Sequence, residues 1–248
     1  MPGSEVTIPR AQDQLFAAGS SGREKYSALV VGRPGWGALI RHELIVSIAQ
    51  ARAGALGLAL RKALYPRLLG SCGRNVVFGQ NVVLRHPHKI HIGSNVVVDD
   101  NCLLDAKGDS NQGIRIGDGV FVGRNTILSC KNGDIELGDG ANLGFNCEVF
   151  SASRVTIGPG VLMAAYAYVI GGDHDFSDPS AAVLDRPRVS AGVTIGGGAW
   201  IGAGAKILDG VAVGERAVIG AAAVVRESVP PAAVAVGIPA RVVSSRTP

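Results

Sequence analysis

The chain has 248 residues, enough to bury the core of one domain with an appendage. Glycine is abundant at 35 residues and aromatic residues are scarce at 5%, which disfavours a helical enzyme and suits tight coils with little interior room. A formal net charge of +4, from 24 basic and 20 acidic residues, is too mild to point to nucleic acid.

Residues 1–24 are polar and Gly/Ser-rich, so a flexible start is expected, with residues 11–16 opening a short helix. Met1 to Arg10 has no apolar signal core. No run of about 18 uncharged apolar residues occurs, so no membrane span is expected.

Residues 35–70 are Leu- and Ala-rich, with Leu39, Ile40, Leu44, Ile48, Leu56, Leu60 and Leu64 at helical spacings. Gly54 and Gly57 are expected to break or bend this helix, and Pro66 to end it. Seven basic residues (Arg33, Arg41, Arg52, Arg61, Lys62, Arg67, Arg74) stand against one acid, Glu43. Two compatible readings follow. The segment caps the open end of a repeat by packing its apolar stripe on it, as repeat proteins require. It also suits contact with an anionic membrane surface.

A repeat follows from residue 75. Ile195, Ile201, Ile207, Val213, Ile219 and Val225 recur at every sixth position, and four of them precede Gly. A period of six fits neither a helix nor a simple strand. It fits a chain that turns a corner every six residues, three hexapeptides completing one triangular coil of parallel strands. Earlier markers include Ile116-Gly117, Leu137-Gly138 and Ile157-Gly158. The interval from Ile157 to Ile195 reads as two coils plus a small excess, placed in the polar loop 171–190. The expected organisation is a helical cap region over 1–74, a mainly β coil over 75–230, and a tail over 231–248 that folds back.

Cys72, Cys102, Cys130 and Cys147 form no C-x-x-C pair, which argues against a zinc ribbon or redox motif. Cys102 and Cys147 fall where the repeat takes a small inward residue and are expected to be buried free thiols, as fits a reducing cytosol. His174 stands alone in the 171–190 loop between Asp173 and Asp175, either of which could fix its tautomer. A loop on a rigid scaffold is a common place for a proton-transfer group, although a lone loop histidine is often a plain surface residue. His86, His88 and His91 form a rival cluster. H-x-H with a third histidine could ligate zinc, but His91 lies at odd spacing from both, and a solvated or substrate-lining surface fits them better. No metal is expected.

The segment VTIGGGAWIGAGAKILDGVAVGERAVIG, opening the stretch 193–243, resembles the C-terminal half of the hexapeptide-repeat acyltransferases. It is similar to the maltose/galactoside-type O-acetyltransferases and those of exopolysaccharide synthesis. The resemblance covers about residues 75–243. It implies a left-handed parallel β-helix that forms homotrimers, with acetyl-CoA as co-substrate in a groove between subunits. His174 takes the place of the family's catalytic histidine, ahead of Ala199-Trp200-Ile201-Gly202, and the implied role is general base. Trp200, Gly202, Ala203 and Ala221 match the family's positions beside the pantetheine arm. Arg241 matches the basic residue near the nucleotide. The family's Thr-Lys is Arg226-Glu227 here, so Arg226 is the candidate for the phosphate contact. The acceptor side departs further, with Gly144-Phe145-Asn146 for Asn-Phe-Asn and Ser151-Ala152 for paired Asp. Asn146 and Glu148 are candidates for an acceptor wall.

The function implied is acetyl transfer to a hydroxyl of a saccharide or lipid-linked saccharide, in the cytoplasm or at the inner membrane face, with no nucleic acid involved. Alternatives are an amino-sugar acceptor, a longer acyl donor, a zinc carbonic anhydrase on the same coil, and a non-catalytic scaffold. The short stretch after Pro230 argues against the acyl-carrier-protein type. The lack of a late histidine pair argues against the anhydrase.

Overall fold

A computed structural model describes residues 4–6, 16, 19–175, 177, 180 and 182–246, with Leu184 described in its backbone alone. The helix expected over 11–16 lies outside these residues except at Phe16, as does most of the polar start.

Strands mostly of two to four residues wind into a three-faced parallel coil. The first face has seven strands, from Ser71–Cys72 through Ile90–Ile92 and Arg154–Ile157 to Ala212–Val213. The second runs from Val77–Phe78 through Trp200–Ile201 to Ala233–Gly237 and ends on Ala240–Ser245, nine strands in all. The third has seven, from Val83–Arg85 through Ile127–Cys130, Glu148–Ser151 and Tyr168–Gly171 to Val224–Val225.

Inward side chains stack on their equivalents one coil away. Ile116, Leu137, Ile157, Ile195 and Val213 form one buried column. Just after the corner from second to third face the column narrows to Val82, Cys102, Thr126, Cys147, Ala167, Ala205 and Ala223, all buried. Cys102, Cys130 and Cys147 are buried and unpaired, as a small apolar residue would be. At this corner Asn81, Asn101, Asn125 and Asn146 take left-handed backbone angles, which Asn tolerates well. Their amides form ladder steps, such as Asn125 Nδ2 donating to Asn146 Oδ1 at 3.0 Å.

The interval from Ile157 to Ile195 is not two coils. Ile157 pairs directly with Ile195, and Met163 with Ile201, so a single coil carries a long insertion. Counting by sixes missed this because the insertion is close to one coil in length. The parallel strands also begin at Ser71, ahead of residue 75, and continue past Pro230 to Gly237. Ala240–Ser245 then returns antiparallel against Ala233–Gly237.

Helices Trp36–Ala49 (α1) and Gly54–Leu64 (α2) close the first coil. The break lies at residues 50–53 and ends on Gly54, whose φ is +69°, whereas Gly57 lies within α2, against the Arg52 carbonyl; Pro66 sits in a 3-10 turn just beyond α2.

The cap does pack, but α1 does so by a different face from the one expected, while α2 uses Leu60 and Leu64 of the expected stripe. Buried are His42, Ile45 and Ala49, with Leu60 and Leu64 partly covered, whereas Ile40, Leu44, Ile48 and Leu56 are exposed. Arg61 leaves the basic surface altogether. It is 1% exposed and donates to the carbonyls of Ala49 (3.0 Å), Arg52 (2.7 Å) and Phe78 (2.9 Å). It thereby satisfies oxygens at the end of α1 and joins α1 and α2 to the first coil.

Arg61→Met should orphan these carbonyls at about 1–3 kcal/mol for each one left buried. The exposed Arg67→Met should change stability by less than about 0.5 kcal/mol. Urea unfolding of both variants checks the contrast. Burial pushes the Cys102 thiol up to about 12 and that of Cys147 to about 11. A thiol reagent at neutral pH should therefore label both only after the coil unfolds, followed by mass spectrometry.

Candidate active site

The insertion leaves the coil at the corner between third and first faces, after Tyr168–Gly171. It runs out through Asp173–His174 and returns through Arg188–Ser190, which pair antiparallel; Ser4–Val6 adds a third strand against Arg188–Ser190. Its base is fixed by a polar knot. Ser190 Oγ, 2% exposed as a residue, lies 3.1 Å from the Gly171 carbonyl, 3.2 Å from Asp209 Oδ1 and 2.6 Å from Ser153 Oγ. Asp209 also accepts the N–H groups of Ala191 (2.8 Å) and Gly192 (3.0 Å). Both ends of the insertion are thus tied to the coils on either side. Sequence reasoning missed Ser153, Ser190 and Asp209. The signal available was an Asp at a corner position that Ala106, Cys130, Ser151 and Gly171 fill in the preceding coils.

His174 faces a cavity of about 190 Å³ lined by Lys131, Phe150, Ala152, Tyr168, Ile170, Gly171, Gly172, Asp173 and Arg188. Its Nδ1 lies 3.3 Å from the Val183 carbonyl oxygen. A carbonyl only accepts, so this contact places the proton on Nδ1 and leaves a lone pair on Nε2. Neither flanking carboxylate holds the ring. Asp173 accepts the backbone N–H of His174 at 2.7 Å, and Asp175 accepts that of Ser177 at 2.9 Å. Phe150 and Tyr168 stand 5.8 Å apart between centroids, with the Lys131 ammonium 5.8 Å over Phe150. Burial raises the Tyr168 hydroxyl pKa, and neighbouring Glu148 adds to it. The cavity therefore offers an aromatic wall, a base and two cations, Lys131 and Arg188. At about 190 Å³ it lies below the roughly 300–1,000 Å³ of small-molecule sites.

Glu148 lies beside Tyr168 on the third face but does not line the cavity. Asn146 belongs to the asparagine ladder at the far end of the same strand and stands apart from His174. Trp200, half exposed, lies on the second face between Leu162 and Val218. Gly202, Ala203 and Ala221 cluster at the corner just after it. A Cβ on Gly202 would come within 2.6 Å of the Ala221 nitrogen, and Ala203 accepts from Ala222 N–H at 2.8 Å. Arg226 and Arg241 meet over Glu227, at 3.6 and 3.4 Å from its Oε1. That carboxylate partly neutralises the pair. The second face does not touch the corner that carries His174, so within one chain the coil separates His174 from Trp200.

The rival histidines are only partly a solvated surface, since His88 and His91 stay half-exposed. His86 is buried, with its Nε2 2.8 Å from the Ala28 carbonyl oxygen, and His91 Nδ1 lies 3.0 Å from Ser71 Oγ. Burial depresses all three pKa values. That of His88 falls to about 4, with the Arg33 charge contributing. No group of three or more His, Cys, Asp or Glu suited to a metal occurs among the described residues.

Residues 192–227 match the family model described as bacterial transferase hexapeptide, six repeats. The match spans the late coil, from Val193–Ile195 to Val224–Val225. The chain is 33% identical over 163 residues to a probable acetyltransferase of Mycobacterium tuberculosis, covering 66% of this chain and 54% of that protein. It is 44% identical over 113 residues to nodulation protein L of Rhizobium meliloti, covering 44% and 58%. The chain thus spans little more than half the length of these relatives. Among solved structures it resembles a variant of AntD, an N-acyltransferase from Bacillus cereus, in complex with dTDP-4-amino-4,6-dideoxyglucose and coenzyme A. The TM-score is 0.50 at 26% identity, over 73% of this chain and 86% of that one. A second variant of the same protein gives a TM-score of 0.53 at 24% identity, over 80% and 92%.

Asp209→Ala should free both ends of the insertion while the coil stays folded. Hydrogen exchange at Asp173–His174 and Arg188–Ser190 should rise with little change in the core strands. The depressed histidines bear on acid stability. Unfolding raises their pKa values toward about 6.5, so the unfolded chain binds more protons below that pH. Stability should fall as pH drops from about 6.5 toward 4, and His88→Gln should flatten part of that slope in pH-dependent denaturation.

Proposed function

We propose that this chain is a CoA-dependent acetyltransferase that moves an acetyl group from acetyl-CoA to a hydroxyl of a saccharide or glycosylated intermediate. The observation that carries the reading is His174, held with Nδ1 against a carbonyl and Nε2 free, beside an aromatic-walled cavity. In this reading Nε2 takes the acceptor hydroxyl proton as the oxygen attacks the thioester carbonyl carbon. The C–S bond breaks, and the leaving thiolate takes the proton back from His174. The naming of one relative as a probable acetyltransferase, and of a similar structure as a coenzyme A complex, supports the donor.

Trp200, Gly202, Ala203 and Ala221 would line the pantetheine arm, with Arg226 and Arg241 near the phosphates. They lie across the coil from His174, so one thioester meets both only if two chains contribute. A homotrimer with the groove between subunits satisfies that requirement, and a second chain would complete the small His174 cavity. Glu148, through Tyr168, and Asp173, through the loop backbone, would shape the acceptor side; Asp175 would hold the turn after His174. Asn146 fits a structural role better.

The exposed row Trp36, Ile40, Leu44 and Ile48, with the exposed Arg41, Arg52, Lys62 and Arg67 nearby, supports contact with an anionic membrane face where a lipid-linked acceptor would be presented. No helix among the described residues is long and apolar enough to cross a membrane.

Free-thiol release from acetyl-CoA, with a panel of sugars and sugar phosphates, tests the assignment. His174→Ala should lower kcat by about 10²–10⁴-fold, and Trp200→Ala should mainly raise KM for acetyl-CoA. Full acceptor-dependent activity in His174→Ala would refute the base. Absence of coenzyme A binding would favour a non-catalytic coil.

A further inference from the structure

A larger cavity, about 620 Å³, lies away from His174, between residues 23–35 and the early third-to-first corners. Its charged wall consists of Arg23, Arg33, Lys89 and Lys107 against Glu24 and Asp109. Three of these six groups are already engaged. Glu24 accepts from Ser21 N–H (2.8 Å) and Oγ (2.9 Å) in a capping box. Arg23 stacks over Trp36 at 4.5 Å. Lys89 Nζ donates to the Gly108 carbonyl (2.6 Å) and Asn111 Oδ1 (2.9 Å).

Arg33 and Lys107 are different, because neither side chain has a hydrogen-bond or ion-pair partner among the described residues. Lys107 is half-buried, and burial is the main reason its pKa is lowered, with Lys131 and Arg85 adding to it. Asp105 and Asp109 oppose this. Asp105 is already shared, lying 3.6 Å from Arg85 Nη1 and accepting the Lys107 backbone N–H at 3.1 Å. A partly desolvated ammonium and an unpaired guanidinium on the walls of one cavity suit an anionic ligand within it. Arg binds phosphoryl oxygens by its fork and Lys as a point charge.

The cavity and the His174 site share one edge of the coil. Lys107, Lys131, Ala152 and Gly172 follow the third-face strands in successive coils. Three steps of about 4.8 Å put Lys107 about 14 Å from the start of the His174 loop. Lys131, which lines the His174 cavity, stands between them.

We propose that the Arg33–Lys107 cavity binds a phosphoryl group of the acceptor whose hydroxyl reaches His174, making the acceptor a phosphorylated glycoside. The pairing with His174 rests on the acetyltransferase reading, whereas the anion site does not.

Calorimetry of the full chain with inorganic pyrophosphate tests the site first. Binding should weaken at least tenfold in Arg33→Gln and in Lys107→Gln, and Lys107→Arg should restore it. It should persist in His174→Ala and in the presence of saturating coenzyme A. No binding up to millimolar pyrophosphate, or equal binding by wild type and both Gln variants of unchanged Tm, would overturn the site. Acetyl transfer then separates the sources of the phosphate. A sugar phosphate should show a lower KM than the same sugar without phosphate, and Lys107→Gln should erase that advantage at similar kcat. Pyrophosphate binding without any such KM advantage would mean a site for free phosphate and overturn the acceptor assignment. Pyrophosphate binding with no acetyl transfer to any acceptor would defeat the acetyltransferase reading and leave the anion site standing.

Discussion

Everything in this chain depends on like stacking upon like inside a narrow triangular coil. Parallel pairing places each inward side chain directly over its equivalent one coil earlier. A column therefore tolerates only residues of one size, so Ile follows Leu on the first face, and Cys, Thr or Ala follow one another after the second. Close packing without voids fixes the register more firmly than the short strands could by hydrogen bonding alone. It also makes a rigid rod, so anything that departs from the period must leave the rod at a corner.

The one long departure carries His174. Its flexibility is limited at the base, where Ser190 and Asp209 hold groups from both ends of the insertion. The rod thus supplies a fixed origin and the insertion supplies reach. Facing Val183 with Nδ1, the imidazole keeps one nitrogen occupied and the other available. A backbone carbonyl does here what an aspartate was expected to do. The same corner, followed toward the first coil, carries Lys131 and Lys107 on successive coils.

The coil was legible because its period is carried by many residues at once, so an error at any one position does little harm. Local counting failed where a single insertion happened to approach one coil in length, since only strand pairing shows that Ile195 lies on Ile157. The cap was legible as helical but not in its orientation. Ile40, Leu44 and Ile48 have the spacing of a buried stripe, yet the face with His42, Ile45 and Ala49 is the one that fits the end of the coil. Arg61 gave no signal of burial, because nothing in one dimension shows three carbonyls converging on it. His174 was singled out by its isolation in the only long polar interruption of the late repeat. Its orienting partner and the knot beneath it were not, since they arise from residues up to 56 apart brought to one corner (Ser153 to Asp209).

The reversal at the end of the second face has a wider consequence. A stack of parallel rungs has no intrinsic length, and its last rung offers unpaired amides and carbonyls to any rung of matching polarity. Ala240–Ser245 lies antiparallel on Ala233–Gly237, so the face ends with the opposite polarity to the rungs below it. At the other end α1 and α2 cover the first coil, joined to it by Arg61. The molecule therefore carries a stop at each terminus of its rod, and a fold whose geometry would otherwise propagate as a fibre is held to a discrete particle.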